Sequence, residues 1–198
     1  MNAERGAAGS ERLERSFFDR DPVLVARELI GCTLLADGVG GRIVETEAYA
    51  EHEPACHAYA GVTERTRVLF GPPGHAYVYL SYGIHQLFNI VTEREGTGAA
   101  VLIRALEPTH GTETMRSRRV GRRDGELCAG PGRLTEALSI GPLFNGVDLG
   151  TGPISLHRGA APADSELQAG PRIGISKAIE LDWRICEAGS RWLSAPEG

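Results

Sequence analysis

The stretch HAYVYLSYGIHQLFNI, residues 75–90, constrains the fold most, because it predicts two extended runs joined by a tight turn. Aromatic and β-branched residues recur in both runs, which is typical of strands. The Tyr82-Gly83 pair between them predicts the turn, since glycine tolerates the backbone angles that a hairpin tip requires. This hairpin predicts antiparallel pairing, and it places a tyrosine ring at an apex where no neighbouring strand could cover it.

The rest of the chain predicts further strands and short helices. Strands are expected in CTLLADGVGGRIVETEAY (32–49), on either side of a glycine-rich turn, and in AAVLIRALEP (99–108). Helices are expected between Asp21, which would cap a helix starting at Pro22, and Gly31, over residues 109–120, and in GPGRLTEALSI (130–140).

Together these elements predict a single α+β domain, built around a mainly antiparallel, curved sheet with flanking helices and a protruding hairpin. A chain of 198 residues fits one such domain. Residues 1–14 are polar and rich in Gly and Ala, which predicts a disordered tail and leaves 15–198 for the domain. Residues 50–74 have weak periodicity and adjacent prolines, so we expect a long loop with some helical character, and such loops are often functional.

Cysteine usage and hydropathy exclude several classes of protein. Four cysteines lie far apart with no CxxC pair, so neither a zinc site nor a disulfide framework is indicated. The N-terminus lacks the apolar region of a secretory signal, and no apolar run approaches the length of a membrane span. We therefore expect a cytoplasmic protein with no membrane association. We also expect a monomer with no metal, no cofactor and no obligate protein partner.

The charge distribution is more informative than the net charge of −5, which by itself argues mildly against a polyanionic partner. The segment MRSRRVGRRD (115–124) holds five arginines. Each charge acts over only about 10 Å in physiological salt, so a local positive face is enough to bind phosphates. Arg116, Arg118 and Arg119 are candidate phosphate contacts, and a solvated basic surface is the alternative.

The segment GRIVETEAY brings two acids together on one predicted strand. Alternate residues of a strand share a face, so Glu45, Glu47 and Tyr49 should point the same way. Two carboxylates about 7 Å apart along a strand are compatible with an acid/base pair, with metal ligands or with a solvent-facing edge. Spacing alone leaves these three possibilities open.

The tyrosines of the hairpin suggest a second chemistry. Tyr77 and Tyr79 share one face, and cross-strand packing would explain Tyr77. It would not explain Tyr82 at the tip. Exposed aromatic rings on hairpins suit stacking on nucleobases, at about 1–3 kcal/mol per base, and an inserted side chain can hold a duplex open.

These segments also resemble a known family. RIVETEAY, ACHAYAGVTERTRVLFGPPGHAYVYLSYG, LFNIV and AVLIRALEP resemble, in order and spacing, the alkyladenine (3-methyladenine, methylpurine) DNA glycosylases, as do the later GPGRLTEAL and GSRWLS. The resemblance runs from about Phe17 to Ser194. It implies a monofunctional enzyme that starts base excision repair by hydrolysing the N-glycosidic bond of alkylated purines in double-stranded DNA, without a cofactor.

The resemblance also implies roles at single positions. Glu47 in ETEAY matches the general base that activates the water, and Arg104 in LIRALEP matches an arginine beside that water and the nucleotide backbone. Tyr82 matches the residue that fills the gap left by the extruded nucleotide. Glu45 receives no catalytic role and is interpreted as polar support.

The base pocket implied by the resemblance is aromatic. Tyr49, His57 and Tyr79 match its walls, and Asn89 matches a side chain associated with discrimination among purines. N-alkylated purines carry positive charge, and cations favour the faces of electron-rich rings by about 0.5–2 kcal/mol. Such a pocket would select alkylated over normal bases.

Two other functions compete with this interpretation. The aromatic and arginine surface could belong to a non-catalytic nucleic-acid-binding module. Glu45 and Glu47 could form the carboxylate pair of a sugar hydrolase, but such carboxylates normally approach a glycosidic bond from opposite sides, and neighbours on one strand face rarely do so.

Overall fold

The computed structural model describes residues 11–195, and they form one α+β domain. Its strands are β1 (Thr33–Ala36), β2 (Val39–Ala50), β3 (Ala76–Ser81), β4 (His85–Val91), β5 (Ala99–His110), β6 (Ile154–His157), β7 (Leu167–Gly170) and β8 (Arg184–Glu187). Its α-helices are α1 (Arg15–Phe18), α2 (Pro22–Leu29), α3 (Thr112–Arg118) and α4 (Pro131–Leu138). Every strand pair in the described sheet is antiparallel, which confirms the predicted fold class.

The sheet is organised around β2, which pairs with β5 along one edge and with β1 and then β8 along the other. The main path of the sheet runs β3-β4-β5-β2-β1-β6, and β7 joins through β8. The centre of β2, which carries the two acids, therefore lies between two neighbouring strands. The spacing of the two acids left open a solvent-facing edge. That possibility is wrong, because the side chains of Glu45 and Glu47 are completely buried.

The two faces of the sheet bury different residues because side chains alternate along each strand. On β5, Val101 and Ile103 join the main core beneath α2, α3 and α4, whereas Ala100 belongs to a smaller cluster on the other face. That cluster also contains Cys56 and Tyr77. The second face is where the cavity described below lies.

Helix α2 begins and ends as the sequence predicts. The Asp21 side chain accepts hydrogen bonds from the amides of Val23 and Leu24, at 2.8 and 3.1 Å, and satisfies two donors of the first turn. Gly31, with φ of +91°, follows the helix in a conformation that favours glycine. The hydroxyl of Thr46 on β2 donates to the Ala26 carbonyl at 2.9 Å, so this helix is attached directly to the strand that carries the acids.

Two predicted boundaries differ from the structure. The helix predicted for 109–120 begins only at Thr112, because β5 continues through His110 in its pairing with β2. The tail predicted for 1–14 lies partly outside the described residues, but its last part is packed. Leu13 is buried and its amide donates to the Leu156 carbonyl at 2.8 Å, while the Arg12 guanidinium donates to carbonyls that include that of Ile154.

The long loop predicted for 50–74 has the expected helical character, as two short 3-10 helices at His57–Ala60 and Arg67–Phe70. They pack on the sheet through the smaller cluster, to which Ala58 and Leu69 belong. Gly98 allows the close approach, since a Cβ there would lie 2.4 Å from that of Ala58. No helix in the described part of the chain is long and apolar enough to cross a membrane.

Candidate active site

A cavity of about 1160 Å³ opens on the face of the sheet opposite the main core. Its wall includes residues from β2, β3, β4 and β5, from the 54–57 segment, from the start of α4 and from the 173–177 segment. Of the predicted site residues, it brings together Tyr49, His57, Tyr79, Tyr82, Asn89, Arg104 and Arg119. Glu47, Arg116 and Arg118 do not line it.

Glu47 lies directly behind this wall, and each of its partners is a lining residue. Its Oε2 accepts a hydrogen bond from the Tyr49 hydroxyl at 2.7 Å. Its Oε1 accepts one from the Ile173 amide at 2.7 Å and is 3.0 Å from Nη1 of Arg104. Both oxygens of the Glu47 carboxylate therefore have partners, and these partners lie between the carboxylate and the cavity.

Arg104 reaches Glu47 because the pairing of β2 with β5 is irregular there. The register passes from Glu45–Ala105 to Thr46–Ile103, so Arg104 has no Cα partner on β2. Such bulges re-aim a side chain and are common near active sites. Here the guanidinium lies between two carboxylates, with Nε 2.9 Å from Glu45 Oε1.

Glu45 holds Arg104 in place and does not itself line the cavity. Its carboxylate also accepts from Nε of Arg184 at 2.8 Å and from the amide and hydroxyl of Ser194 at 2.6 and 2.7 Å. Burial alone would raise the pKa of Glu45, but the positive charge of Arg104 and the bonds from Ser194 and Arg184 outweigh it and lower the pKa. The interpretation of Glu45 as polar support agrees with these contacts, and a second catalytic carboxylate receives no support from them.

The other side of the cavity is a cluster of rings. The centroids of His57 and Tyr79 are 4.5 Å apart with planes at 70°, and those of Tyr77 and Tyr79 are 5.4 Å apart. The His57 Nδ1 atom lies 3.0 Å from the Tyr77 hydroxyl, so Tyr77 orients the imidazole besides packing on its neighbour. The Cys56 side chain caps this turn, because its sulfur accepts from the Ala58 amide at 3.4 Å.

Three rings of the cavity, those of His57, Tyr79 and Tyr49, have pKa values shifted in the direction that favours the neutral form. Burial, and secondly the nearby charge of Arg65, lowers the pKa of His57. Burial, and secondly the neighbouring Tyr77, raises the pKa of Tyr79 to about 12. Burial and the carboxylate of Glu47 raise the pKa of Tyr49 well above its usual value, so its hydroxyl keeps the proton that it donates.

Asn89 projects from β4 into the same cavity. Its Nδ2 donates to the Tyr77 carbonyl at 3.2 Å, across the β3–β4 pair, and the residue is 4% exposed. The backbone of the hairpin therefore fixes the orientation of this amide, which is what selective recognition of a ligand requires.

The hairpin tip lies where the sequence predicts, although Ile84 belongs to its loop and not to the second strand, and it projects its aromatic ring. Ser81 pairs with His85, so Tyr82, Gly83 and Ile84 form the loop. Tyr82 is 88% exposed and has a φ of +49°. A residue with a Cβ in that region costs about 1–2 kcal/mol, so the ring is held at the apex despite backbone strain.

The predicted arginine cluster makes contacts within the chain. Arg116 is ion-paired with Glu113 and Asp124, the latter at 2.8 Å. Arg118 donates to the Ala137 carbonyl at 2.9 Å, and Arg119, which is largely buried, pairs with Glu136 at 3.0 Å. The phosphate contacts remain a prediction.

Sequence reasoning missed several parts of the site. A backbone amide such as that of Ile173 has no signature in the sequence. Ser194, which accepts from Nη2 of Arg104 at 3.1 Å, belongs to the GSRWLS segment that carried the resemblance. Arg65 lies 5.4 Å from the centroid of the Tyr79 ring and lines the cavity. Among residues 11–195, no group of three or more His, Cys, Asp or Glu side chains could hold a metal ion.

Comparison with known proteins assigns this chain to a class of enzymes. Residues 16–191 match the family model described as methylpurine-DNA glycosylase. The chain therefore belongs to the methylpurine-DNA glycosylase family, and it is an enzyme of the DNA glycosylase type.

Several curated bacterial proteins are similar over nearly their whole length. The chain is 56% identical to one from Bradyrhizobium diazoefficiens over 184 residues, which is 93% of this chain and 91% of the relative. It is 53% identical to one from Rhodopseudomonas palustris strain HaA2, over 96% and 94% of the two chains. It is 51% identical to one from Nitrosospira multiformis, over 90% and 92%. Each of the three is named "Putative 3-methyladenine DNA glycosylase".

Proposed function

We propose that the protein flips alkylated purines, 3-methyladenine among them, out of double-stranded DNA and hydrolyses their N-glycosidic bond with a water that Glu47 activates. The observation that carries the proposal is the Glu47–Arg104 pair directly behind a cavity walled by aromatic rings. The names of the relatives supply the lesion.

The chemistry of the cavity suits a cationic base. A base inside a duplex is unreachable, so the target must be extruded, at a cost of a few kcal/mol. Tyr49 and Tyr79 offer ring faces that attract an alkylated, positively charged purine. Since the pKa of His57 is lowered, its imidazole is neutral at physiological pH and adds no repulsion.

Bond cleavage needs only a directed water. As the C1′–N bond breaks, its electron pair goes to the alkylated base, which leaves neutral, and the sugar becomes oxocarbenium-like. Water adds to C1′ and gives its proton to Glu47, whose negative charge also stabilises the sugar cation. The products are the free base and an abasic site.

Because Glu47 is fully buried, water reaches it only by displacing one of its partners. Its Oε2 is occupied by the Tyr49 hydroxyl. When a base stacks on Tyr49, the hydroxyl gives up this bond and the attacking water takes the acceptor. Arg104, which lines the cavity and contacts Oε1, keeps the carboxylate in place during the exchange.

Tyr82 is the residue that we propose fills the vacated stack. It is the most exposed aromatic side chain in the described part of the chain and stands at the apex of the hairpin beside the cavity. The ring would replace the stacking that the extruded nucleotide loses.

Glu47→Gln tests the mechanism, with Glu107→Gln as a matched control outside the cavity. The wild type is expected to release 3-methyladenine from alkylated duplex DNA, whereas Glu47→Gln should bind such DNA and release no base. Undiminished release by Glu47→Gln would remove the mechanism. A wild type that releases no base from any alkylated duplex would remove the function.

A further inference from the structure

Arg172 lies outside the cavity, yet it contacts three of the segments that form the cavity wall. Its side chain is completely buried and forms a two-pronged ion pair with Glu53, at 2.7 Å through Nη1 and 2.9 Å through Nη2. Nη1 also donates to the Ala48 carbonyl on β2 at 2.9 Å, and Nη2 to the Ala178 carbonyl at 3.4 Å.

The first segment that it supports is the part of β2 that carries Tyr49. The guanidinium lies 4.7 Å from the centroid of the Tyr49 ring and 5.3 Å from that of Trp183. Tyr49 lines the cavity and Arg172 does not, so the arginine packs on this ring from behind. It limits how far the ring can tilt when the ring loses its bond to Glu47.

The second segment, residues 173–177, contacts the proposed catalytic carboxylate of Glu47. Ile173 directly follows Arg172, and its amide donates to Glu47 Oε1 at 2.7 Å. Fixing the Arg172 side chain to β2 therefore fixes, one residue along the chain, a donor that orients Glu47.

The third segment carries His57. Besides pairing with Arg172, Oε2 of Glu53 accepts a hydrogen bond from the Ala55 amide at 2.8 Å. Ala55 begins the turn that leads to Cys56 and His57, all of which line the cavity. One buried ion pair thus connects the acid, the ring beside it and the opposite wall.

We propose that Arg172, held by Glu53, is a positioning residue of the reaction. It aligns the Ile173 amide with Glu47, and it aligns the ring of Tyr49 behind the flipped purine. The inference rests on the proposed function, since it takes Glu47 as the general base. Buried ion pairs often add no more stability than apolar side chains of the same volume, so a geometric role accounts better for this one.

The Arg172 guanidinium keeps its charge. Burial alone would lower the pKa of Arg172, but its bonds to Glu53 and that residue's negative charge raise the pKa above its usual value. A lysine would keep the charge but not the planar fork that holds Glu53 and stacks on Tyr49. Arg172→Lys is therefore the informative change.

Arg42→Lys is the matched control. Arg42 also pairs in a two-pronged manner, with Glu187 at 2.8 and 2.6 Å, and it lies on β2 without lining the cavity. For both variants, the release of 3-methyladenine is measured in single turnover at saturating enzyme. Binding is measured with a duplex that contains a tetrahydrofuran abasic-site analogue, which offers no base for Tyr49 to hold, and thermal unfolding is recorded.

Arg172→Lys is expected to release base about 100-fold more slowly, the effect of a misplacement near 1 Å at a reacting group, while its affinity for the analogue stays at the wild-type value. Arg42→Lys should match the wild type in both. A wild-type release rate for Arg172→Lys overturns the inference, as does a loss of rate that tracks the melting temperature equally in both variants.

If Arg172→Lys gives no folded protein, Glu53→Gln replaces it with the same expected and contradicting results, because the amide keeps the shape and loses the charge. Failure of the inference alone is recognisable. In that case the wild type releases base, Glu47→Gln does not, and Arg172→Lys is as fast as the wild type.

Discussion

The Tyr49 hydroxyl donates a 2.7 Å hydrogen bond to Glu47, two residues earlier on the same strand. Residues at this spacing share a face of the strand, so the bond is a direct result of the alternation in ETEAY. The bond joins Glu47, the proposed general base, to a ring of the proposed purine pocket. In the proposed mechanism, the occupancy of the pocket and the accessibility of the carboxylate are therefore coupled.

This bond leads to a prediction for Tyr49→Phe. The phenyl ring would still stack on a base, and Oε2 of Glu47 would be free for water without an exchange. We expect base release at the wild-type rate or faster, whereas Tyr49→Ala should be slower because it loses stacking of about 1–3 kcal/mol. Single-turnover release from a duplex with one alkylated purine measures both. A large decrease in rate with Tyr49→Phe would mean that the hydroxyl takes part in the chemistry.

A second prediction concerns Glu45 and stability. Glu45→Gln leaves Arg184 and Arg104 without their shared counter-charge, and breaking a buried pair costs about 3 kcal/mol or more. The free energy of unfolding, from urea denaturation at pH 7, should fall by about that amount. Glu107→Gln removes a partly exposed pair with Arg42 and should cost less than about 1 kcal/mol. Equal decreases would contradict the role of Glu45 as an anchor.

The same variant has a predicted pH dependence. The pKa of Glu45 is lowered from its ordinary 4.5 in the folded protein, so the ionised carboxylate stabilises the fold fully above that pH. This contribution disappears as the pH falls through the folded value. The stability difference between wild type and Glu45→Gln should therefore shrink on acidification below about pH 4.5. A difference that stays constant over that range would show that the charge is not responsible.

Tyr82→Ala should weaken binding to duplex DNA more than to single-stranded DNA, because only the duplex has a stack to fill. The expected decrease in binding free energy on a duplex with an abasic-site analogue is about 1–3 kcal/mol. Leu143→Ala is the control, since that side chain is 93% exposed and does not line the cavity. Equal decreases in binding free energy on duplex and single-stranded DNA would refute the proposal that Tyr82 fills the vacated stack.

Salt titrations of DNA affinity test the predicted phosphate interactions. Removing one arginine that binds a phosphate should reduce the slope of log K against log salt by about 1. Arg118→Gln and Arg119→Gln should each flatten it. Arg116→Gln should have the smallest effect, since two carboxylates already neutralise Arg116. An unchanged slope in all three variants would place the phosphate-binding residues elsewhere, and Arg122, which is exposed on the cavity rim, is the next candidate.

Local patterns predicted much of the fold. The hairpin, the cap at Asp21 and the shared face of Glu45, Glu47 and Tyr49 all follow from interactions between residues close in sequence. The predicted start of α3 was wrong because pairing with β2 extends β5 through His110, and a partner strand that lies far away in sequence is invisible to a local pattern.

The candidate site was predictable where it depends on side chains in a recognisable order. It was not predictable where it depends on long-range interactions. Arg172 and Glu53 are 119 residues apart, and nothing in either segment indicates the other. The arginine cluster illustrates the same limit, since spacing does not show that Glu136 would lie beside Arg119.

The irregular pairing at Arg104 has a consequence for changes in chain length. Val44 on β2 and Arg104 on β5 are each skipped, and the two skips compensate, so the pleats of the strands remain in phase on either side. Ile43 and Ala48 both reach the main core although they lie an odd number of positions apart, because Val44 is the extra residue between them. Deleting Val44 alone would remove that extra residue and leave Ile43 buried opposite Leu106. The strand pair should therefore tolerate deletion of Val44 better than deletion of a residue from the regular part of β2, which would turn the residues on one side of the deletion over to the other face.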